Sequence, residues 1–70
     1  MNRQEHLQWA KDRAVEYCDK GDTMMAYASF ISDIGKHPDL HYDDFLISMG
    51  MRAAMSGDVR QTRHFIEGFN

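Results

Sequence analysis

The 70-residue sequence predicts an all-α fold: one domain, residues 1–70, of four short helices arranged as two antiparallel hairpins. Three observations predict it. Apolar residues recur at helical spacing in three separate stretches. Three of the segments open on Asn2, Asp22 and Asp58 and three close at Gly21, Gly35 and Gly57, the usual helix punctuation. No segment alternates apolar and polar residues as a half-buried strand does.

The first helix is predicted from about Arg3 to Asp19. Asn2 with Glu5 three residues later reads as a capping box, in which each side chain takes a free backbone N–H of the first turn. Leu7, Ala10, Ala14, Tyr17 and Cys18 fall on one face, with Val15 at its edge and Trp9 roughly opposite. Lys20-Gly21 ends the helix, Gly21 being free to turn left-handed. The second helix starts after Asp22. Met24, Tyr27, Ala28, Ile31 and Ile34 make its main stripe, Phe30 widens it, and Gly35 with Pro38 stops it.

KHPDLHYDD then reads as a loop, with Asp43 or Asp44 capping the third helix. FLISMGMRAAM is apolar nearly all round, which predicts a helix at the buried centre of a bundle. Gly50 inside it costs about 1 kcal/mol against Ala, so a neighbour is expected close to the backbone there. Ser56-Gly57 ends this helix. Asp58 with Gln61 reads as a second capping box. Val59, Thr62, Phe65, Ile66 and Phe69 form one face of a short fourth helix. Phe30, Ile31, Leu46, Met49, Phe65 and Ile66 are the expected shared core.

The formal net charge of −3, with 11 acidic against 8 basic residues, disfavours a general nucleic-acid binder and attachment to an anionic membrane. No apolar run approaches the ~20 residues of a membrane span. MNRQEHLQWAKDR lacks the apolar centre of a signal peptide. A single cysteine, Cys18, allows no internal disulfide and fits a reducing cytoplasm. A chain this short builds a thin core, and self-association is expected to help it, most simply as a homodimer.

GDTMMAYASFISDIGKHPD, with the helix before it, carries a family resemblance. Ala14, Tyr17, Ala26, Phe30 and Pro38 match in type and spacing a tetratricopeptide repeat, and the hairpin they span resembles one at the level of the motif. Ala10 stands where that family prefers Trp, Arg13 where it prefers Leu, and Asp33 where a small Ala packs. Gly57-Asp58 echoes Gly21-Asp22 about one repeat length later, more faintly. The resemblance covers about half the chain and implies a binding scaffold, so the expected architecture is a small bundle or tetratricopeptide-like. More loosely, HLQWAKDRA, SDIGKHP and FIEGFN look like small proteins of tailed bacteriophages. That likeness implies work in a bacterial host cytoplasm, and an inhibitor or modulator of a host or defence protein, of the anti-CRISPR type for example.

Several groups are candidates for chemistry. Trp9, with Glu5, Asp12, Arg13 and Glu16 on the same side, has the composition of an interaction hot spot and its charged rim, and Arg13 is placed to stack on the indole. Met25, at the edge of its stripe on the second helix, is the next candidate for a partner contact; Met24, Met49, Met51 and Met55 complete an excess of adaptable side chains. Arg52, Arg60, Arg63 and His64 make an alternative site for a phosphate or a small nucleotide. His37, Asp39, His41, Asp43 and Asp44 are metal-ligand types in one loop, but their spacing matches no compact metal motif, and no metal is expected. Cys18, on an apolar face, reads as a core residue and not a nucleophile. No cofactor motif is present and no enzyme is expected. The expectation is a non-catalytic protein–protein interaction module. The rivals are a small-nucleotide sponge or sensor and a structural homo-oligomer.

Overall fold

A computed structural model describes residues 2–70. Four helices succeed one another: α1 (Arg3–Asp19), α2 (Thr23–Ile34), α3 (Asp44–Met55) and α4 (Val59–Glu67). There is no strand among the described residues. The boundaries obey the punctuation. Asn2 accepts from the Glu5 backbone N–H at 2.8 Å while Glu5 accepts from that of Asn2 at 3.1 Å, a complete capping box. Asp22, Asp43 and Asp58 each accept from the N–H three residues on. At Asp58 the box is only half formed, because Gln61 does not reach back and the Asp58 N–H is taken by the Ser56 hydroxyl. Gly21 has φ 77°, and the N–H groups of Gly21 and Asp22 donate to the carbonyls of Cys18 and Tyr17, closing α1 with a Schellman turn.

α2 and α4 are each in contact with the other three helices, whereas α1 and α3 do not touch. α1 and α2 form one hairpin, α3 and α4 the other, and α4 folds back onto α1. Phe30 is fully buried where the helices meet, with Phe65 and Phe69 edge-on to it at 6.2 and 5.4 Å. Leu7, Ala10, Ala14, Cys18, Ala26, Ile34, Leu40 and Ile66 complete the core. The alanines and the cysteine on the inner side of α1 let the backbones of α1 and α2 approach.

Three expectations need correction. α3 is not the buried centre: only Gly50, Ala53 and Ala54 of this helix are buried, Leu46 and Ile47 are half-buried, and Phe45, Met49, Met51 and Met55 are exposed. Small residues face inward because ring atoms of Phe65 and Tyr27 already fill the space over Gly50. Met49 is therefore 49% exposed and outside the core, while Ile31, Leu46 and Phe65 are only half-buried. The buried face of α2 is rotated from the expected stripe. Thr23, Ala26, Tyr27, Phe30, Asp33 and Ile34 are inside, and Met24 and Ala28 are exposed. The reason is polar: Thr23 donates to the Ala54 carbonyl at 2.7 Å and Tyr27 to the Ile47 carbonyl at 2.9 Å, fixing α2 against α3.

Cations of α1 tie down the other end. Lys11 donates to the Glu67 carbonyl at 3.0 Å and Arg3 to the Asn70 carbonyl at 2.8 Å, satisfying acceptors at the end of α4 where positive charge is favoured. Asp19 pairs with Arg63 across the same two helices.

Candidate functional site

The outer side of α1 is organised by a carboxylate. Asp33 is 2% exposed, and both its oxygens are used. Oδ2 accepts from Arg13 Nε at 2.8 Å and Oδ1 from Lys36 Nζ at 3.1 Å. A buried charge is tolerable only with such partners. Arg13 and Asp33, the two charged ones among the three departures from the repeat pattern, are thus ion-pair partners. The same cations flank the indole of Trp9, with Arg13 Cζ 5.0 Å and Lys36 Nζ 5.9 Å from the ring centroid. His6 stands 5.2 Å from Trp9 and 5.1 Å from His37. Its Nε2 lies 2.6 Å from the Asp33 carbonyl, which can only accept, so the Nε2 carries the proton.

Trp9 is therefore half-buried and packs against the core, instead of standing free opposite the apolar stripe as expected. Side chains from the end of α2 cover part of its ring. Glu5, Asp12, Arg13 and Glu16 are exposed. Glu5 is held in the capping box and Asp12 accepts from Gln8 at 2.9 Å. Met25, 44% exposed, is in the first turn of α2, whereas the carboxylate that holds the Trp9 cluster is in its last.

Three of the four residues of the alternative site share one depression, and Arg52 does not. A depression of about 690 Å³ lies between α3 and α4, lined by Arg60, Arg63 and His64 but also by Asp58 and Glu67. Arg52 is not in its lining, and Arg63 is engaged by Asp19, which raises its pKa through that hydrogen bond and charge. An anion there meets Arg60 and His64, but also two carboxylates and a guanidinium already paired with Asp19. Cys18 is 1% exposed, and burial pushes its thiol pKa up against the pull of Arg63, which keeps it protonated and poorly nucleophilic.

In the connecting loop, His37 Nδ1 accepts from the Asp39 N–H at 3.1 Å and Asp43 caps α3. No group of three or more His, Cys, Asp or Glu side chains able to hold a metal ion lies among the described residues. No helix among them is long and apolar enough to cross a membrane. Several large apolar side chains are open to solvent: Met24, Met25, Phe45, Met49, Met51 and Met55 are between 43% and 71% exposed.

Comparison with protein-family models, with curated proteins and with solved structures gives no match. The location of the candidate site therefore rests on geometry. It brings Trp9 and Arg13 together and adds His6, Asp33, Lys36 and His37, which spacing along α1 did not reveal. The available signal was the pair of misfits: a cation and an anion at facing packed positions neutralise one another. Phe45 was missed as a surface residue because an all-apolar run carries no periodicity to orient it.

Proposed function

We propose that this chain is a non-catalytic protein-binding module that contacts its partner through the outer face of α1. The observation that carries the reading is the Trp9–Arg13 unit, fixed from below by buried Asp33. Trp and Arg are enriched at interface hot spots. A pair already held in one geometry loses little side-chain freedom on binding. Arg13 spends only Nε on Asp33, and no other hydrogen bond of Arg13 is found among the described residues, so its terminal nitrogens can serve an acceptor on a partner. Exposed Asp12 and Glu16 supply a charged rim. The likeness to small tailed-phage proteins motivates a bacterial host or defence protein as the partner, inhibited or modulated in the host cytoplasm.

Capture from bacterial lysate on the immobilised chain, then affinity measurement with the captured protein, tests this. Trp9→Ala is expected to weaken binding at least about tenfold, the scale of a hot-spot truncation. Because Trp9 also packs on the core, that variant is expected to melt lower as well. The deciding variant is therefore Asp12→Arg with Glu16→Arg, which changes only exposed charges, leaves the melting temperature in place and slows association. Binding indifferent to both variants refutes the α1 surface.

A further inference from the structure

We propose that the outer face of α3 is the interface of a symmetric homodimer. Ser48 lies on its two-fold axis, and Asp44 of each copy pairs with Arg52 of the other.

The first support is area. Phe45 is 70% exposed, Met49 49%, Met51 43% and Met55 71%, and Met24, next in sequence to the Thr23 that donates to Ala54 of α3, is 49% exposed. At about 200 Å² for a large side chain, these five present roughly 550 Å² of apolar surface to solvent. A standard interface buries about 800 Å² per partner, and in homodimers about 65% of it is apolar, which is roughly 520 Å². The exposed surface thus has the size one side of a stable dimer needs, and it sits at the upper end of what a monomer usually leaves bare.

The second support is charge order. Gly50, Ala53 and Ala54 point α3 toward the core. With 100° between successive residues, Ser48 lies close to the opposite side. Asp44, Ser48 and Arg52 recur at four-residue spacing, so they form a single outward ridge. All three are exposed, and neither Asp44 nor Arg52 has an ion-pair partner among the described residues. Within one chain the two cannot meet, being two turns apart, about 12 Å along the axis at 1.5 Å per residue.

A second copy running antiparallel changes that. With Ser48 at the centre, the acidic end of one ridge is level with the basic end of the other, and the two-fold makes the contact twice. A small residue at the crossing point lets the helices close. Phe45 and Met49 then lie along one side of the seam and Met51 with Met55 along the other, where thioether and ring surfaces adapt to each other. The order acid–small–base on one ridge is complementary to itself. This selects a second copy over a foreign protein as the occupant, and the inference does not depend on the α1 surface.

Sedimentation velocity of the full chain tests it. The expected result at high micromolar concentration is a mass twice the 8.2 kDa of one chain. Ser48→Arg is expected to leave a folded monomer. Asp44→Arg and Arg52→Asp are each expected to weaken association about tenfold, and the two combined to recover it. Glu16→Arg on α1 is expected to leave the mass unchanged, which separates this interface from the α1 reading. Helical circular dichroism on each variant confirms folding. A wild-type monomer at high micromolar concentration overturns the proposal. So does a dimer indifferent to Ser48→Arg, or a double charge reversal without recovery.

Discussion

Replacing Gly50 by Ala probes the closest approach in the fold. A Cβ added there meets Phe65 Cε2 and Cζ at 2.6 Å and Tyr27 Cε1 at 2.7 Å. Ordinary contact begins at 3.4 Å, so the rings must retreat by about 0.8 Å, the difference between 3.4 and 2.6 Å. Neither ring is free to do so. The Tyr27 hydroxyl is bonded to the Ile47 carbonyl, and Phe65 is edge-on to both Phe30 and Phe69. Overpacking of this kind costs about 1–3 kcal/mol. Helix propensity returns about 1 kcal/mol on replacing Gly by Ala. The net expectation is a loss of about 1 kcal/mol, or a melting temperature lower by about 4–8 °C in a domain of this size. Gly50→Val adds bulk without the same return and is expected to lose about 3 kcal/mol or more. The assay is thermal melting monitored by circular dichroism. A second background isolates the cause: Phe65→Leu removes the two atoms in closest approach, so Gly50→Ala should cost less there, by a coupling of about 1 kcal/mol. A Gly50→Ala chain that melts at or above the wild type refutes the packing of α3 against α2 and α4.

Arg13→Leu is expected to destabilise by about 1–3 kcal/mol by leaving buried Asp33 with Lys36 alone, toward the low side because Arg13 is 51% exposed; Arg13→Leu with Asp33→Ala is expected to recover most of the loss, and denaturant midpoints measure both. Cys18 is expected to react with a thiol reagent only as fast as the helices open, and quickly in denaturant. The pH dependence has a fixed sign: the unfolded chain ionises its thiol at the ordinary 9.0 while the folded thiol, raised by burial, stays protonated, so stability is full below pH 9.0 and falls as pH rises above it. Buried Tyr27, raised from 10.0, acts in the same direction, and melting temperatures across the alkaline range report the sum.

Helix positions were legible because caps are local. Asn2 and Glu5, Asp22, Asp58, Gly21 and Gly57 specify backbone geometry within four residues, and their chemistry survives any tertiary context. The orientation of α1 was legible for the same kind of reason, since Leu7, Ala10, Ala14 and Cys18 leave one apolar side. α2 and α3 were not. α2 is apolar at Met24, Met25, Ala28 and Ile31 as well as at Ala26 and Phe30, so its stripe could be drawn in two places. The choice was made by hydrogen bonds from Thr23 and Tyr27 to carbonyls on another helix. α3 read as central because its residues are apolar, yet burial depends on volume as well as polarity. With Phe65 and Tyr27 against the backbone at Gly50, the fully buried positions take only small residues, Leu46 and Ile47 are half-buried beside them, and Phe45, Met49, Met51 and Met55 are left outside. The Trp9 cluster was half legible. Its Arg13 neighbour lies one turn away in sequence, whereas Asp33 comes from α2 and Lys36 from the turn after it, and no local pattern announces them.

The two surfaces arise from the one fact that α2 lies between α1 and α3. Because those helices do not touch, a substitution on the outer side of one shares no partner with the outer side of the other, and its effects are expected to add. A dimer formed through α3 therefore leaves both Trp9–Arg13 units uncovered, one on each copy. A partner presenting two equivalent sites within reach would then be held twice, the second contact forming at the effective concentration set by the dimer. The rigidity of the Trp9 unit matters more in that arrangement, since each of the two contacts is spared the loss of side-chain freedom that Asp33 has already imposed. The same geometry accounts for a thin-cored chain carrying so many exposed methionines: the apolar side chains that Gly50 turns away from the core are the ones a second copy can cover.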